Sequence, residues 1–92
     1  MSMSTWRKML LECMEENGDL FENIVSNTMT NAEMDKEFYT SYGSADGIPF
    51  TVWTKERVYF PICYDGSEWV GHAPRNPCNI AMTHQGEIGR AH

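Results

Sequence analysis

The dipeptide Asp65-Gly66 lies inside an aromatic and β-branched run, "FTVWTKERVYFPICYDGSEWV", from Phe50 to Val70. Both central residues of a type I′ turn need positive φ, and Asp-Gly adopts it at little steric cost. A two-residue loop there sets the register of two strands. Tyr64 falls opposite Ser67, Cys63 opposite Glu68, Ile62 opposite Trp69, Pro61 opposite Val70, Phe60 opposite Gly71 and Tyr59 opposite His72. The preceding turn, in "TKERV", depends on the hydrophobic pattern. A three-residue loop, Lys55–Arg57, pairs Trp53 with Tyr59, Val52 with Phe60 and Phe50 with Ile62. A two-residue loop pairs Val52 with Tyr59 and mixes the faces, so the three-residue version is expected.

The result is a three-stranded antiparallel meander with two faces. One carries Phe50, Ile62, Trp69, Val52, Phe60 and Gly71. The other carries Trp53, Tyr59, His72, Thr51, Pro61 and Val70. The first is the more apolar and is expected to pack on a helix. Proline has no N–H for a central ladder, so Pro61 predicts a bulge or an unpaired edge.

That helix is readable near the N-terminus. Ser4 or Thr5 can cap it. Trp6, Met9, Leu10, Cys13 and Met14 recur at i, i+3, i+4, i+7 and i+8, one apolar stripe. Asn17-Gly18 supplies a left-handed stop. Lys8, Glu12, Glu15 and Glu16 lie on the outward face, with Asp19 just past the end. A strand is expected around Asn23–Thr28. Thr30 followed by Glu33 is a capping-box pattern, predicting a short helix from Asn31 to about Phe38. "YTSYGSADGIP" reads as a loop. The fold class is therefore α+β: an N-terminal helix on a three- to four-stranded antiparallel sheet, with a second short helix. With 92 residues, the chain accommodates one small domain, over 1–78, and a mobile tail over 79–92.

Charge narrows the functional classes. Seven Lys+Arg stand against 13 Asp+Glu, a net −6. The excess is confined to residues 1–46, where Glu12, Glu15, Glu16, Asp19, Glu22, Glu33, Asp35, Glu37 and Asp46 face only Arg7, Lys8 and Lys36. Residues 47–92 balance. Phosphate binding needs clustered cations, so nucleic acid is disfavoured and a protein partner with a basic surface is favoured. No apolar run approaches the roughly 18 residues of a membrane helix. Three widely spaced cysteines, Cys13, Cys63 and Cys78, suit free thiols in a reducing cytoplasm better than a disulfide framework.

Motifs of catalysis and cofactor binding are missing. There is no zinc-ligand spacing, phosphate loop, nucleophile elbow or calcium loop. No cofactor or metal is expected. A thiol-dependent enzyme using Cys63 or Cys78 with His72 is one alternative. The cross-strand offset between Cys63 and His72 is long for a thiolate–imidazole hydrogen bond, however. A second alternative stacks single-stranded nucleic acid on the row Trp53, Tyr59 and His72, with Lys55, Arg57 and Arg75 as the only nearby cations. The leading expectation is a non-enzymatic binding protein. Its contact residues would be Glu12, Glu15, Glu16 and Asp19 on one surface, and Trp53, Tyr59 and His72 on another. Oligomeric state is left open, with a homodimer compatible.

The segments "MSTWRKMLLECMEENGD" and "PFTVWTKERVYFPICYDGSEWVGHAPRNP" resemble a group of small acidic proteins encoded by phages and prophages. The likeness spans most of residues 3–77. It implies an accessory factor that binds and inhibits or modulates a host system, such as a defence system or the transcription machinery. It assigns a role to no individual residue.

Overall fold

The computed structural model describes residues 3–39, 47–64, 67–83 and 85. Two helices and six strands follow in the order β1 (Met3–Ser4), α1 (Trp6–Glu16), β2 (Ile24–Asn27), α2 (Asn31–Asp35), β3 (Phe38–Tyr39), β4 (Val52–Thr54), β5 (Arg57–Tyr64) and β6 (Ser67–Pro74). A single 3₁₀ turn, Phe21–Asn23, precedes β2. The architecture is α+β, with one antiparallel sheet of two strands, β1-β3, and one of four, in the order β2-β4-β5-β6.

Local chemistry accounts for α1. The Thr5 hydroxyl accepts from the N–H of Lys8 at 3.1 Å, satisfying one orphan donor of the first turn. Trp6, Leu10, Cys13 and Met14 are buried, as the stripe requires. The helix ends in a complete Schellman motif: Asp19 N–H bonds Met14 C=O at 2.8 Å and Gly18 N–H bonds Glu15 C=O at 3.1 Å. Gly18 supplies the φ of +71° that this reversal needs. The turn sends the chain back beneath the helix and carries Asp19 inward.

The core forms where α1 lies against the sheet, mainly against β6. Trp6 anchors it. Its ring meets Phe38 and Phe50, each at a centroid distance of 4.8 Å, and its indole N–H bonds Ile48 C=O at 3.0 Å. Truncating a tryptophan buried this fully would cost about 4 kcal/mol. Met29 and Met34 fill the space beside it. The capping box of α2 forms as expected: Thr30 Oγ1 accepts from Glu33 N–H at 3.1 Å, and Glu33 Oε1 accepts from Thr30 N–H at 2.8 Å. Arg7 bonds Asp35 at 2.6 Å and ties α1 to α2. The helix stops at Asp35, short of the expected Phe38, because Phe38 leaves it to pair with Ser4 and to pack on Trp6.

In the main sheet, every β5–β6 pair expected from the Asp65-Gly66 turn is present, from Tyr64 with Ser67 to Tyr59 with His72. The turn residues themselves lie outside the described residues, as does most of the loop read at 39–49. The strand expected over Asn23–Thr28 is β2. Two expectations need correction. The loop between β4 and β5 has two residues, Lys55 and Glu56, and Val52 pairs with Tyr59, Trp53 with Val58. The β5–β6 hairpin is therefore turned over relative to the expected faces, while Phe50 and Val52 stay on the inner side. Tyr59, Val70, Val52 and Thr54 are buried with Phe50 on the α1 side, whereas Ile62, Trp69 and Phe60 share the other face with Trp53. At Pro61 the second of the two expected alternatives holds: β5–β6 register runs unbroken through Pro61 and Val70, without a bulge, and the β4 side of Pro61 is unpaired. The β4 ladder ends at Val52–Tyr59, so Pro61 has no β4 partner to which it must donate. Residues 79–83 carry no regular structure, whereas Gln85 reaches back onto β6. Among the described residues, no helix is long and apolar enough to cross a membrane.

Candidate functional site

The seven residues singled out in the sequence separate into two environments. Glu12, Glu15 and Glu16 are exposed on the outer side of α1. Asp19 is not with them: it is 8% exposed and sits under the sheet. Both of its oxygens are fully engaged. Oδ2 accepts from the hydroxyls of Thr54 and Tyr59, each at 2.8 Å. Oδ1 accepts from the Asn23 side-chain amide and the Leu20 N–H, each at 3.1 Å. Burial pushes the Asp19 carboxyl up, but the bonds donated by Asn23, Thr54, Tyr59 and Leu20 outweigh it and hold the group below the usual carboxylate range. Burial, then the bond to Asp19 and its charge, push the Tyr59 phenol well above its ordinary value. This network is a satisfied polar core, and it explains the short β4–β5 loop. Thr54, turned inward by Asp19, also accepts from the N–H of Arg57 at 3.0 Å and closes the turn. Arg75 clamps the same turn from β6, bonding Thr54 C=O at 2.9 Å and, through its own N–H, Glu56 C=O at 2.9 Å.

The row Trp53–Tyr59–His72 does not form as one surface. Tyr59 and His72 are cross-strand neighbours, with ring centroids 6.3 Å apart, but Tyr59 is fully buried. Trp53 is half-buried on the opposite face. His72 is half-buried, and its Nδ1 is inaccessible and without a hydrogen-bond partner. Burial lowers its basicity, the Arg57 charge lowers it further, and Glu16 opposes both. The neutral imidazole is thus the stable form.

No described constellation activates a thiol. Cys13 is buried; Cys63 and Cys78 are exposed. Cys63 pairs with Glu68, four residues along β6 from His72, a separation of about 13 Å at strand rise. Cys78 lines a separate depression with Arg57, Pro74 and Ile80. Among the described residues, no group of three or more His, Cys, Asp or Glu side chains gathers to hold a metal ion.

What the outer side of α1 does hold is a groove of about 380 Å³ between the helix and the turn that follows it. Leu11, Leu20, Phe21 and Glu15 line it. Leu20 is 56% exposed, Leu11 41% and Phe21 37%. Arg7 lies over the Phe21 ring at 5.7 Å and orients it. These three apolar residues were not among the sequence candidates. The signal was present: Leu11 stands off the stripe between Arg7 and Glu15, four residues to either side, and Leu20-Phe21 follows the helix stop at once. The site joins apolar surface to unpaired carboxylates, which suits recognition of a cationic, partly apolar ligand surface rather than bond-making chemistry.

Comparison of the chain with protein families, curated proteins and solved structures gave no match.

Proposed function

We propose that this protein is a small non-enzymatic binding protein that engages a protein partner with a basic surface through the outer side of α1. One observation carries the reading: the exposed carboxylates of Glu12, Glu15 and Glu16 lie on the same helix that walls the groove of Leu11, Leu20 and Phe21. An apolar anchor in the groove would supply affinity, and the carboxylates would supply orientation and association rate. Asp19, Tyr59 and His72 then serve the fold that presents this surface. If the resemblance to phage and prophage proteins holds, the partner is a host protein, and occupying its basic surface would inhibit or modulate the system that uses it.

The test is affinity capture from a host lysate with three baits: the unaltered chain, Glu12→Lys/Glu15→Lys/Glu16→Lys, and Phe21→Ser. A protein retained by the first and lost from the other two supports the proposal. Equal recovery on all three baits overturns it.

A further inference from the structure

The groove beside α1 constrains the shape of what can fill it. Leu11 and Glu15, one helical turn apart, stand on α1, and Leu20 and Phe21 stand on the turn that follows. All four are exposed. The main chain around them is already engaged. The N–H groups of Gly18 and Asp19 bond the C=O groups of Glu15 and Met14. Leu20 N–H bonds Asp19 Oδ1, and Leu20 C=O accepts from Asn23 N–H. Phe21 C=O accepts from Ile24 N–H. An extended peptide pressed into this groove would lose water from its own N–H and C=O groups and meet only side chains, a cost of about 1–3 kcal/mol for each group left unpaired. A helix carries its main-chain bonds with it and offers side chains alone, at i, i+3 and i+4.

The groove also has an electrical direction. Arg7, paired with Asp35, lies over Phe21 and belongs to the first turn of α1. Glu15 and Glu16 belong to the last turn, which carries no base, so their charge adds to the negative pole of the helix. A helix antiparallel to α1 sets its positive, N-terminal pole against those carboxylates. A parallel helix sets its negative pole there.

Given the binding role stated above, we propose that the groove accepts one amphipathic helix of the partner protein, antiparallel to α1. Its apolar residues meet Leu11, Leu20 and Phe21, and lysines or arginines in its N-terminal half meet Glu15. A second copy of this chain is the poorer occupant. The exposed side of its own α1 repeats Glu12, Glu15 and Glu16, and two such sides repel.

The experiment uses the full chain and two synthetic probes. The first is a hydrocarbon-stapled helix of four turns, with leucines at i, i+3, i+4 and i+7, lysines in its N-terminal half and a nitroxide at its N-terminus. The second has the same pattern, unstapled, with two central prolines that prevent the helix. The first probe is expected to bind about tenfold more tightly than the second, because only the helix keeps its main chain paired. Its nitroxide should broaden the Glu16 amide resonance and spare that of Lys8. Phe21→Ser should remove binding, and Leu20→Ser, at the most exposed wall residue, should repeat the loss in a variant that disturbs packing least. Equal binding of the two probes, abolished by both wall substitutions, overturns the helix and leaves the groove as the contact surface. Broadening of Lys8 in place of Glu16 overturns the direction. Binding that persists in both wall variants overturns the groove reading as well. Absence of binding by the first probe overturns the helix, and lysate capture then decides the binding role by itself. Self-association of the unaltered chain that Phe21→Ser abolishes overturns the foreign helix and makes a second copy the occupant.

Discussion

Glu16 and Asp19 stand three residues apart, carry the same functional group, and end in opposite surroundings. Glu16 closes α1 on the exposed side with Glu12 and Glu15. Asp19 lies inside, bonded by four donors from Leu20, Asn23, Thr54 and Tyr59. The Schellman reversal over Gly18 separates them. The difference shows that an acidic cluster in a sequence is not one surface. A single positive-φ residue divides it into a carboxylate that holds the fold and carboxylates left for contact.

The comparison is sharpest at Asp19→Ala. This change leaves the hydroxyls of Thr54 and Tyr59 buried without their acceptor, and it should lower unfolding free energy by about 3 kcal/mol. Urea denaturation measures it. A loss below about 1 kcal/mol would show that the network is incidental to the fold. Tyr59→Phe removes one donor and leaves the carboxylate three. It should cost about 1 kcal/mol, and a cost equal to that of Asp19→Ala would mean the phenol, not the carboxylate, is the keystone.

The pH dependence follows from the lowered Asp19 value. The group binds fewer protons folded than unfolded, so its stabilisation is present above the unfolded value near 4 and fades as pH falls through the lower, folded one. The unaltered chain should lose stability over that acid window, and Asp19→Asn should flatten the slope. An equally steep slope in the asparagine variant would assign the effect to other groups. The smallest effect on stability is expected from Glu12→Lys/Glu15→Lys/Glu16→Lys, whose urea midpoint should match the unaltered chain while partner capture is lost. A marked shift in the midpoint would erase the contrast between the inner and outer carboxylates.

Legibility in the sequence followed the range of the interactions. The β5–β6 register was readable because a two-residue turn fixes every pair that follows it. The α1 stripe and both helix N-caps were readable for the same reason: their partners lie within four residues. The β4–β5 register was not. Apolar matching set Val52 opposite Phe60, whereas Val52 pairs with Tyr59, whose hydroxyl, like that of Thr54, is received by Asp19 from far back in the chain. That one-residue difference moved Trp53 off the face of Tyr59 and undid the expected aromatic row. The groove of Leu11, Leu20 and Phe21 was hidden for a related reason, since it exists only once the chain has reversed at Gly18.

By itself, the sequence determined the hairpin, the helix with its caps and stripe, and the concentration of negative charge in the first half. Each rests on steric and hydrogen-bonding rules that operate between near neighbours. Only the tertiary structure decided which face of the sheet meets α1, which carboxylate goes inside, and which apolar residues stay out. Strand alternation has a period of two, so either face can be the inner one until a distant polar partner makes one of them satisfiable. Here that partner is Asp19, and the two hydrogen bonds it accepts from the sheet, from Thr54 and Tyr59, favour the face that carries them.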